Sequence, residues 1–481
     1  MNNKCQVFTP YDVVIGMLDK SSYKDNLYGK KVLENSCGEG NILCVIVERY
    51  IQDGLRRGVS VEKIKLGLQS DIYGIEIDEG PYTKCLYNLN ETAKRYGIEN
   101  VAWNLLNVDF LIEGIDLKFD YVIGNPPYIS YKDLTVKTRE YLKIHFKSCS
   151  IGKFDYCYAF LEASINVLKD NGVLIYLVPN SIFKNVFGKN LREILLPYLV
   201  RVYDYRTMKL FDVLTSSAII ICNKDSKEED IEYLDISLNR SHKVKKNDLR
   251  LKSKWEFSSN YSGDIENRRI FGDYFNSSIT LATLLNSAFV MKNIKTIEND
   301  HKYITIDGIK LEKEIIKKAV SPRSLNYNKN EYIIFPYFYF ENKLGRYNSE
   351  EFETKFPEVK NYLYTFIKDL EKRASDKSVN WFEYGRTQAL AHLNQEKLLL
   401  STVVTNCVKV YKVPQDTIPY SGIYITSKGS FSLNAAKRIL ESEDFYNYVQ
   451  NIGINANGSS LRITARDVNN YLLPEGWENN G

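Results

Sequence analysis

The feature that most constrains this chain is an alternation, over its first 222 residues, of short apolar runs with helical periodicities. Lys31–Asn35, Ile72–Ile77, Val101–Asn107, Asp120–Gly124, Val173–Val178, Arg201–Tyr205 and Ser217–Cys222 read as strands. Between them Asn41–Gln52, Gly80–Tyr96, Tyr156–Lys169 and Ile182–Tyr198 carry the spacing of amphipathic helices. Strands that alternate with helices predict an α/β fold built on a mainly parallel, seven-stranded sheet. Asp170-Asn171-Gly172 is expected to close the helix before the fifth strand, with Gly as its C-terminal cap. The charged stretch Asn223–Asp230 has no apolar periodicity. It predicts a first domain over residues 1–228 and a second, irregular α+β domain over residues 229–481. Helices are expected there near Pro357–Ala374 and Ala435–Asn451.

Composition excludes several classes. The chain has 481 residues, 44% hydrophobic and 26% charged, which is ordinary for a folded protein of two or three domains. No apolar run reaches the roughly 18 residues of a membrane span. The N-terminal residues lack the apolar core of a signal peptide, so the chain is expected to act in the cytoplasm with no membrane partner. The eight cysteines are scattered without a CxxC pair, and the four histidines join no cluster, so no metal site is expected. A net charge of +4 identifies no partner, yet a local basic face is enough for phosphate contacts.

Four strand ends carry chemistry. Asn125-Pro126-Pro127-Tyr128 follows the fourth strand and holds the only adjacent pair among 12 prolines. It reads either as a rigid turn or as a catalytic loop. The amino group of a nucleobase is a poor nucleophile because its lone pair is delocalised into the ring. An Asn oxygen and a nearby backbone carbonyl can accept both N–H protons and turn that lone pair outward. Prolines would hold such acceptors rigidly, and the Tyr ring offers a stacking platform. Glu34 to Asn41, with Gly38 and Gly40, ends the first strand and opens a helix, so backbone can approach a ligand. The third glycine of the dinucleotide fingerprint is replaced by Leu43, which argues against NAD. Glu76, ending the second strand, is either solvated or an acceptor for ribose hydroxyls. Asp109, ending the third, can meet an adenine amino group, with Phe110 against the ring. Ligands of open α/β sheets bind at the carboxyl ends of strands, and these four ends are expected side by side.

In this order the motifs resemble those of amino-group DNA methyltransferases that use S-adenosyl-L-methionine. With Phe8-Thr9-Pro10 placed first and a large C-terminal half, the chain is similar to the gamma class of N6-adenine methyltransferases. The resemblance implies a Rossmann-like catalytic domain followed by a target-recognition domain. It implies that Phe8, Thr9 and Pro10 touch the methionine carboxylate, and that Glu34, Asn35, Ser36, Cys37, Gly38 and Gly40 form the cofactor loop. Glu76 with Ile77, and Asp109 with Phe110, would hold the ribose and adenine. Asn125, Pro126, Pro127 and Tyr128 would be the catalytic tetrapeptide, Asn125 and Pro127 also bordering the cofactor. Phe211, in Leu210-Phe211-Asp212-Val213, is either the second ring against a flipped base or a core residue. The chain departs from the family at Asn35, where a proline is usual.

The implied activity is methyl transfer to N6 of adenine at a specific duplex DNA site, by base flipping, without metal or covalent enzyme intermediate. Proton loss would follow transfer, into water. A restriction-modification system is the implied setting, with duplex DNA and a cognate restriction endonuclease as partners. Arg240, Lys243, Lys245, Lys246, Arg250, Lys252 and Lys254 form a basic run that either tracks phosphates or faces solvent. Lys245 and Lys246, with Arg323 and Arg386 further on, are the DNA-contact candidates. Rival readings are a protein-glutamine, RNA or N4-cytosine methyltransferase, and a non-catalytic DNA-binding specificity protein.

Overall fold

A computed structural model describes residues 9–21, 23–206, 216–250, 252, 254–257, 269–341, 343–373, 379–429, 431–457, 460–474 and 477. Two compact units emerge, one of residues 1–262 with 457–459, the other of residues 263–456 with 460–481.

In the first unit, nine strands form one sheet among the described residues. They are β1 (Val32–Glu34), β2 (Ile72–Ile75), β3 (Asn104–Leu106), β4 (Phe119–Gly124), β5 (Leu168–Pro179), β6 (Leu199–Asp204), β7 (Ser217–Asn223), β8 (Asp230–Asp235) and β9 (Arg240–Lys245). The spatial order is 3-2-1-4-5-7-6-8-9. β1 to β5 run parallel, and β7 lies antiparallel between β5 and β6. The central strands bury both faces, as a sheet between helix layers requires, whereas β9 at the edge is exposed. Along β5, Leu174, Tyr176 and Val178 enter one core while Ile175 and Leu177 enter the other. The helices α1 (Tyr11–Asp19), α2 (Asn41–Arg56), α3 (Val61–Asp71) and α4 (Glu79–Lys94) cover the second face. α5 (Phe110–Glu113), α6 (Val136–His145), α7 (Cys157–Val167), α8 (Ser181–Lys184) and α9 (Lys189–Leu195) cover the first.

All seven expected strands are present, and the α/β fold class holds. Three expectations need correction. The sheet does not stop at the charged stretch before residue 230. β8 pairs parallel with β6, Arg201 facing Glu232, and β9 returns beside it, so a boundary at 228 cuts through the sheet. Gly172 is no helix cap: α7 ends at Val167, and Gly172 lies within β5 without a positive φ. A Cβ there would meet the Phe119 carbonyl oxygen at 2.8 Å, so close approach is what calls for glycine. The expected helix Ile182–Tyr198 is broken at Asn185, which is extended (ψ 130°) and whose side chain caps the turn Val186–Gly188 through the Phe187 N–H.

The second unit is built on antiparallel pairing. Phe275–Ile279, Ile423–Ser427, Lys397–Leu400 and Val410–Val413 form one four-stranded sheet. The buried Lys397 donates to the carbonyls of Leu393, Gln395, Pro414 and Gln415, an internal cation that ties two turns together. The two expected helices each arrive as a pair of shorter ones. Pro357–Tyr364 is followed by Ile367–Glu371, and Leu433–Leu440 by Glu443–Ile452, the last opened by a Ser442 cap on Phe445. Among the described residues, no helix is long and apolar enough to cross a membrane.

Candidate active site

The order 3-2-1-4 sets the carboxyl ends of four parallel strands side by side, and Glu34, Glu76, Asp109 and Asn125 sit at or just beyond them. Glu34 is the last residue of β1 and only 2% exposed. Its Oε2 is buried with no hydrogen-bond partner among the described residues. Burial pushes its carboxyl well above the usual carboxylate range, Cys85 and Glu76 push the same way, and the Leu43 N–H opposes them. The loop then turns through two glycines at positive φ, Gly38 (54°) and Gly40 (88°). At Gly38 a Cβ would meet nothing within 4 Å, so the loop is open on that side. At Gly40 it would meet Cys85 Sγ at 2.9 Å, so that glycine lets α2 start tight against α4.

β2 and β1 are stitched together at their ends. The Cys37 N–H donates to the Ile75 carbonyl at 2.9 Å. Glu76 accepts from the N–H groups of Gly38 (2.8 Å) and Asp78 (2.9 Å), which fixes its carboxylate beside the glycine loop. Its pKa is raised by burial, against those two N–H bonds. Asn107 Nδ2 donates to the carbonyls of Glu76 and Ile77, tying β3 to the same turn. Ile77 is 41% exposed, an apolar side chain left open beside Glu76. Asp109 caps α5 by accepting from the Leu111 N–H at 2.9 Å. Phe110 is 4% exposed and packs on Phe160, ring centroids 5.9 Å apart.

The tetrapeptide leaves β4 directly after Gly124. Ser36 Oγ donates to the Asn125 carbonyl at 3.3 Å, joining this loop to the glycine loop. Asn125 Nδ2 donates to Thr9 Oγ1 at 3.1 Å, while Asn125 Oδ1 is buried with no partner among the described residues. Thr9 is buried, and Pro10 is the N-cap of α1. Pro126 is buried and Pro127 half-buried. Tyr128 is anchored by its hydroxyl, which donates to the Leu177 carbonyl on β5 at 3.1 Å. Burial raises that phenol's pKa. Phe8 and Phe211 lie outside the described residues.

Asn35 points away from this surface. Its Nδ2 donates to Ser164 Oγ on α7 at 2.9 Å, its Oδ1 accepts from the Tyr176 hydroxyl, and Ser164 and Tyr176 bond each other at 2.8 Å. This buried triad braces the loop by side-chain hydrogen bonds. Ser164 and Tyr176 escaped sequence reading. The one signal was the unusual Asn35 itself, a polar residue at a strand end that had to find partners.

The DNA-contact candidates separate. Lys245 is exposed on β9. Lys246 is 5% exposed and its ammonium donates to the Pro197 carbonyl at 2.8 Å, so it holds structure and is corrected out of the phosphate-contact set. Arg323, on the short helix Pro322–Asn326, and Arg386 are both exposed in the second unit. Arg386 follows a buried block in which Glu383 takes a bidentate Arg346 at 2.5 and 2.6 Å and the Tyr384 hydroxyl donates to Ile334. No cluster that could hold a metal ion occurs among the described residues.

Residues 57–211 match the Eco57I restriction-modification methylase family model. The chain is 22% identical over 514 residues to the type II restriction enzyme and methyltransferase RM.Eco57I of Escherichia coli, covering 87% of this chain and 51% of that one. It therefore spans about half the length of that relative. It is 22% identical over 516 residues to the type II methyltransferase M.BstVI of Geobacillus stearothermophilus, covering 98% of this chain and 90% of that one. In three dimensions it is similar to the type IIL restriction-modification enzyme MmeI in complex with DNA. The TM-score is 0.61 at 15% identity, over 98% of this chain and 67% of that one. The fold is thus similar to that of a solved restriction-modification enzyme, and in sequence the chain is similar to type II restriction-modification methyltransferases.

Proposed function

We propose that the chain transfers a methyl group from S-adenosylmethionine to N6 of adenine at a specific site in duplex DNA, on a base flipped out of the stack. One observation carries the reading. At the ends of adjacent strands β1 and β4, the buried oxygens Glu34 Oε2 and Asn125 Oδ1 have no partner among the described residues. Buried polar atoms in folded proteins are bonded with few exceptions, and a missing ligand is one explanation of an exception.

The donor set fits this cofactor. A buried carboxylate at Glu34 suits the methionine ammonium, Glu76 suits ribose hydroxyls, and the opening at Gly38 leaves room between them. Ile77, Asp109 and Phe110 would border the adenine, with Thr9, Pro10, Ser36 and Pro127 along the remainder. When bound, S-adenosylmethionine supplies an electrophilic methyl on a sulfonium. Asn125 Oδ1 accepts one N–H of the target amine and a tetrapeptide carbonyl the other, which localises the nitrogen lone pair for attack. Tyr128 presents its ring to the flipped base while its hydroxyl stays fixed on Leu177. Among the described residues near Asn125, Thr9 and Ser36 are weak bases, so the proton leaves to water after transfer. Lys245, Arg323 and Arg386 are the proposed DNA contacts, and a cognate endonuclease is the proposed partner.

The test is incorporation of label from methyl-labelled S-adenosylmethionine into duplex DNA by purified protein, followed by nucleoside analysis. N6-methyladenine that disappears with Asn125→Ala supports the reading. Label in RNA, in cytosine or in protein amide, or none at all, overturns it.

A further inference from the structure

We infer that Thr9 is a positioning residue for Asn125. Its hydroxyl oxygen holds the amide nitrogen, so that the amide oxygen, and not the NH2 group, faces the amine to be methylated. This rests on the proposed chemistry at Asn125 and adds a role for Thr9 separate from any contact with methionine.

An Asn amide has two ends of nearly equal size, one a double donor and one a double acceptor. Rotation by half a turn about the last side-chain bond exchanges them, and that torsion is broad and roughly two-fold. A catalytic amide that must accept an N–H is therefore useless in half of its orientations unless something distinguishes the ends. With the NH2 end outward, it would set a donor against the donors of the substrate. In this chain the distinction comes from the opposite side of the amide: Nδ2 donates to Thr9 Oγ1 at 3.1 Å, and Oδ1 is left as the buried acceptor.

Thr9 is itself well placed to hold. It is buried and precedes Pro10, whose carbonyl accepts the Val13 and Val14 N–H groups and so starts α1. Val14, Met17 and Leu18 seat that helix in the core. The hydroxyl is thus fixed by a helix docked on the sheet, 116 residues away from the loop it restrains. Ser36 fixes the Asn125 backbone by donating to its carbonyl, and Thr9 fixes the side chain. A hydroxyl has two lone pairs and one proton. Accepting from Asn125 leaves that proton free for another acceptor, so the two roles of Thr9 do not compete.

The experiment compares Thr9→Val, which keeps shape and loses the oxygen, with Thr9→Ser, which keeps the oxygen. Three readouts are taken: kcat at saturating cofactor and DNA, cofactor Kd by calorimetry, and the Asn125 side-chain amide resonances of cofactor-free protein. Those resonances are identified by their loss in Asn125→Asp. Thr9→Val is expected to lower kcat at saturating cofactor and DNA about tenfold, in line with one hydrogen bond, over and above any rise in Kd from its lost contact with the cofactor. It should also collapse the exchange protection of the Asn125 amide protons. Thr9→Ser should recover most of both. Should Thr9→Val fail to fold by thermal melting, Thr9→Ala serves in its place. The inference is overturned if kcat persists and only Kd rises, or if the Asn125 amide signals do not change. If wild-type protein methylates no substrate, the proposed reaction has failed, and the amide resonances alone still decide whether Thr9 holds Asn125.

Discussion

The ends of β1 and β4 lie side by side, and each presents a buried oxygen without a partner among the described residues, yet the two are solved differently. At β1 the group is a carboxyl. It can lower the cost of burial by taking up a proton, and its pKa is raised accordingly. At β4 the group is an amide, which has no such escape and must be held by geometry, through Thr9 behind it and Ser36 on its backbone. The difference separates binding from chemistry. A titratable oxygen can wait for a cation, whereas an acceptor for an N–H must already point the right way.

The largest effect is expected at the amide. Asn125→Ala should lower kcat by about 10²–10³, the range for losing one preorganised polar contact, while cofactor Kd by calorimetry changes little. Equal losses in both would break the division between the two strand ends. Next comes Glu34→Gln, which keeps the shape and removes the charge. Cofactor binding should weaken by about 10- to 100-fold, as for a charge-assisted hydrogen bond of 1.5–3 kcal/mol, with kcat at saturation largely retained.

The titration of Glu34 sharpens the same contrast. Its folded pKa is raised, so the cofactor-free fold binds a proton that the unfolded chain releases in the ordinary carboxylate range. Stability from this group is therefore fully present below that range and is lost as pH rises through the raised folded value. Glu34→Gln should flatten this slope and raise the neutral-pH melting temperature of cofactor-free protein, by about 2–4 °C for each kcal/mol relieved. Pairing with an ammonium favours the charged carboxylate, so calorimetry at a pH where the raised Glu34 carboxyl is protonated should show buffer-dependent proton release in wild type and none in Glu34→Gln. The smallest effect is expected at Tyr128. Tyr128→Ala should lose the stacking surface, worth about 1–3 kcal/mol, whereas Tyr128→Phe loses only the Leu177 anchor, about 0.5–1.5 kcal/mol. Initial rates on one DNA substrate rank the pair, and equal losses would show that the hydroxyl, not the ring, matters.

The sequence carries much of the first unit because the central strands of its sheet are buried on both faces and read as continuous apolar runs, as in Ser217–Cys222. β8 was missed because only Ile231, Tyr233 and Asp235 of its six residues are buried, and with Asp230, Glu232 and Asp235 half of the strand is acidic. Gly172 was misread because its reason is the Phe119 oxygen, a neighbour in space 53 positions away in sequence. At the site, Glu34, Glu76 and Asn125 were legible from strand ends and spacing. The Ser164–Tyr176–Asn35 triad and the Thr9–Asn125 bond were not, since both join residues more than a hundred positions apart. In the second unit, short antiparallel strands and paired helices leave little periodicity to read. The difference between Lys245 and Lys246 illustrates the limit: adjacent lysines, one exposed and one bound to Pro197.

The central claim, that Asn125 Oδ1 is the acceptor that prepares an adenine amine, is tested most directly by long-read sequencing that detects modified bases in DNA from cells expressing the chain. Wild type is expected to mark N6 of adenine at one recurring sequence motif, and Asn125→Ala, expressed and folded to the same level, to leave that motif unmarked. Undiminished marking by Asn125→Ala, or a wild-type mark on cytosine, would contradict it.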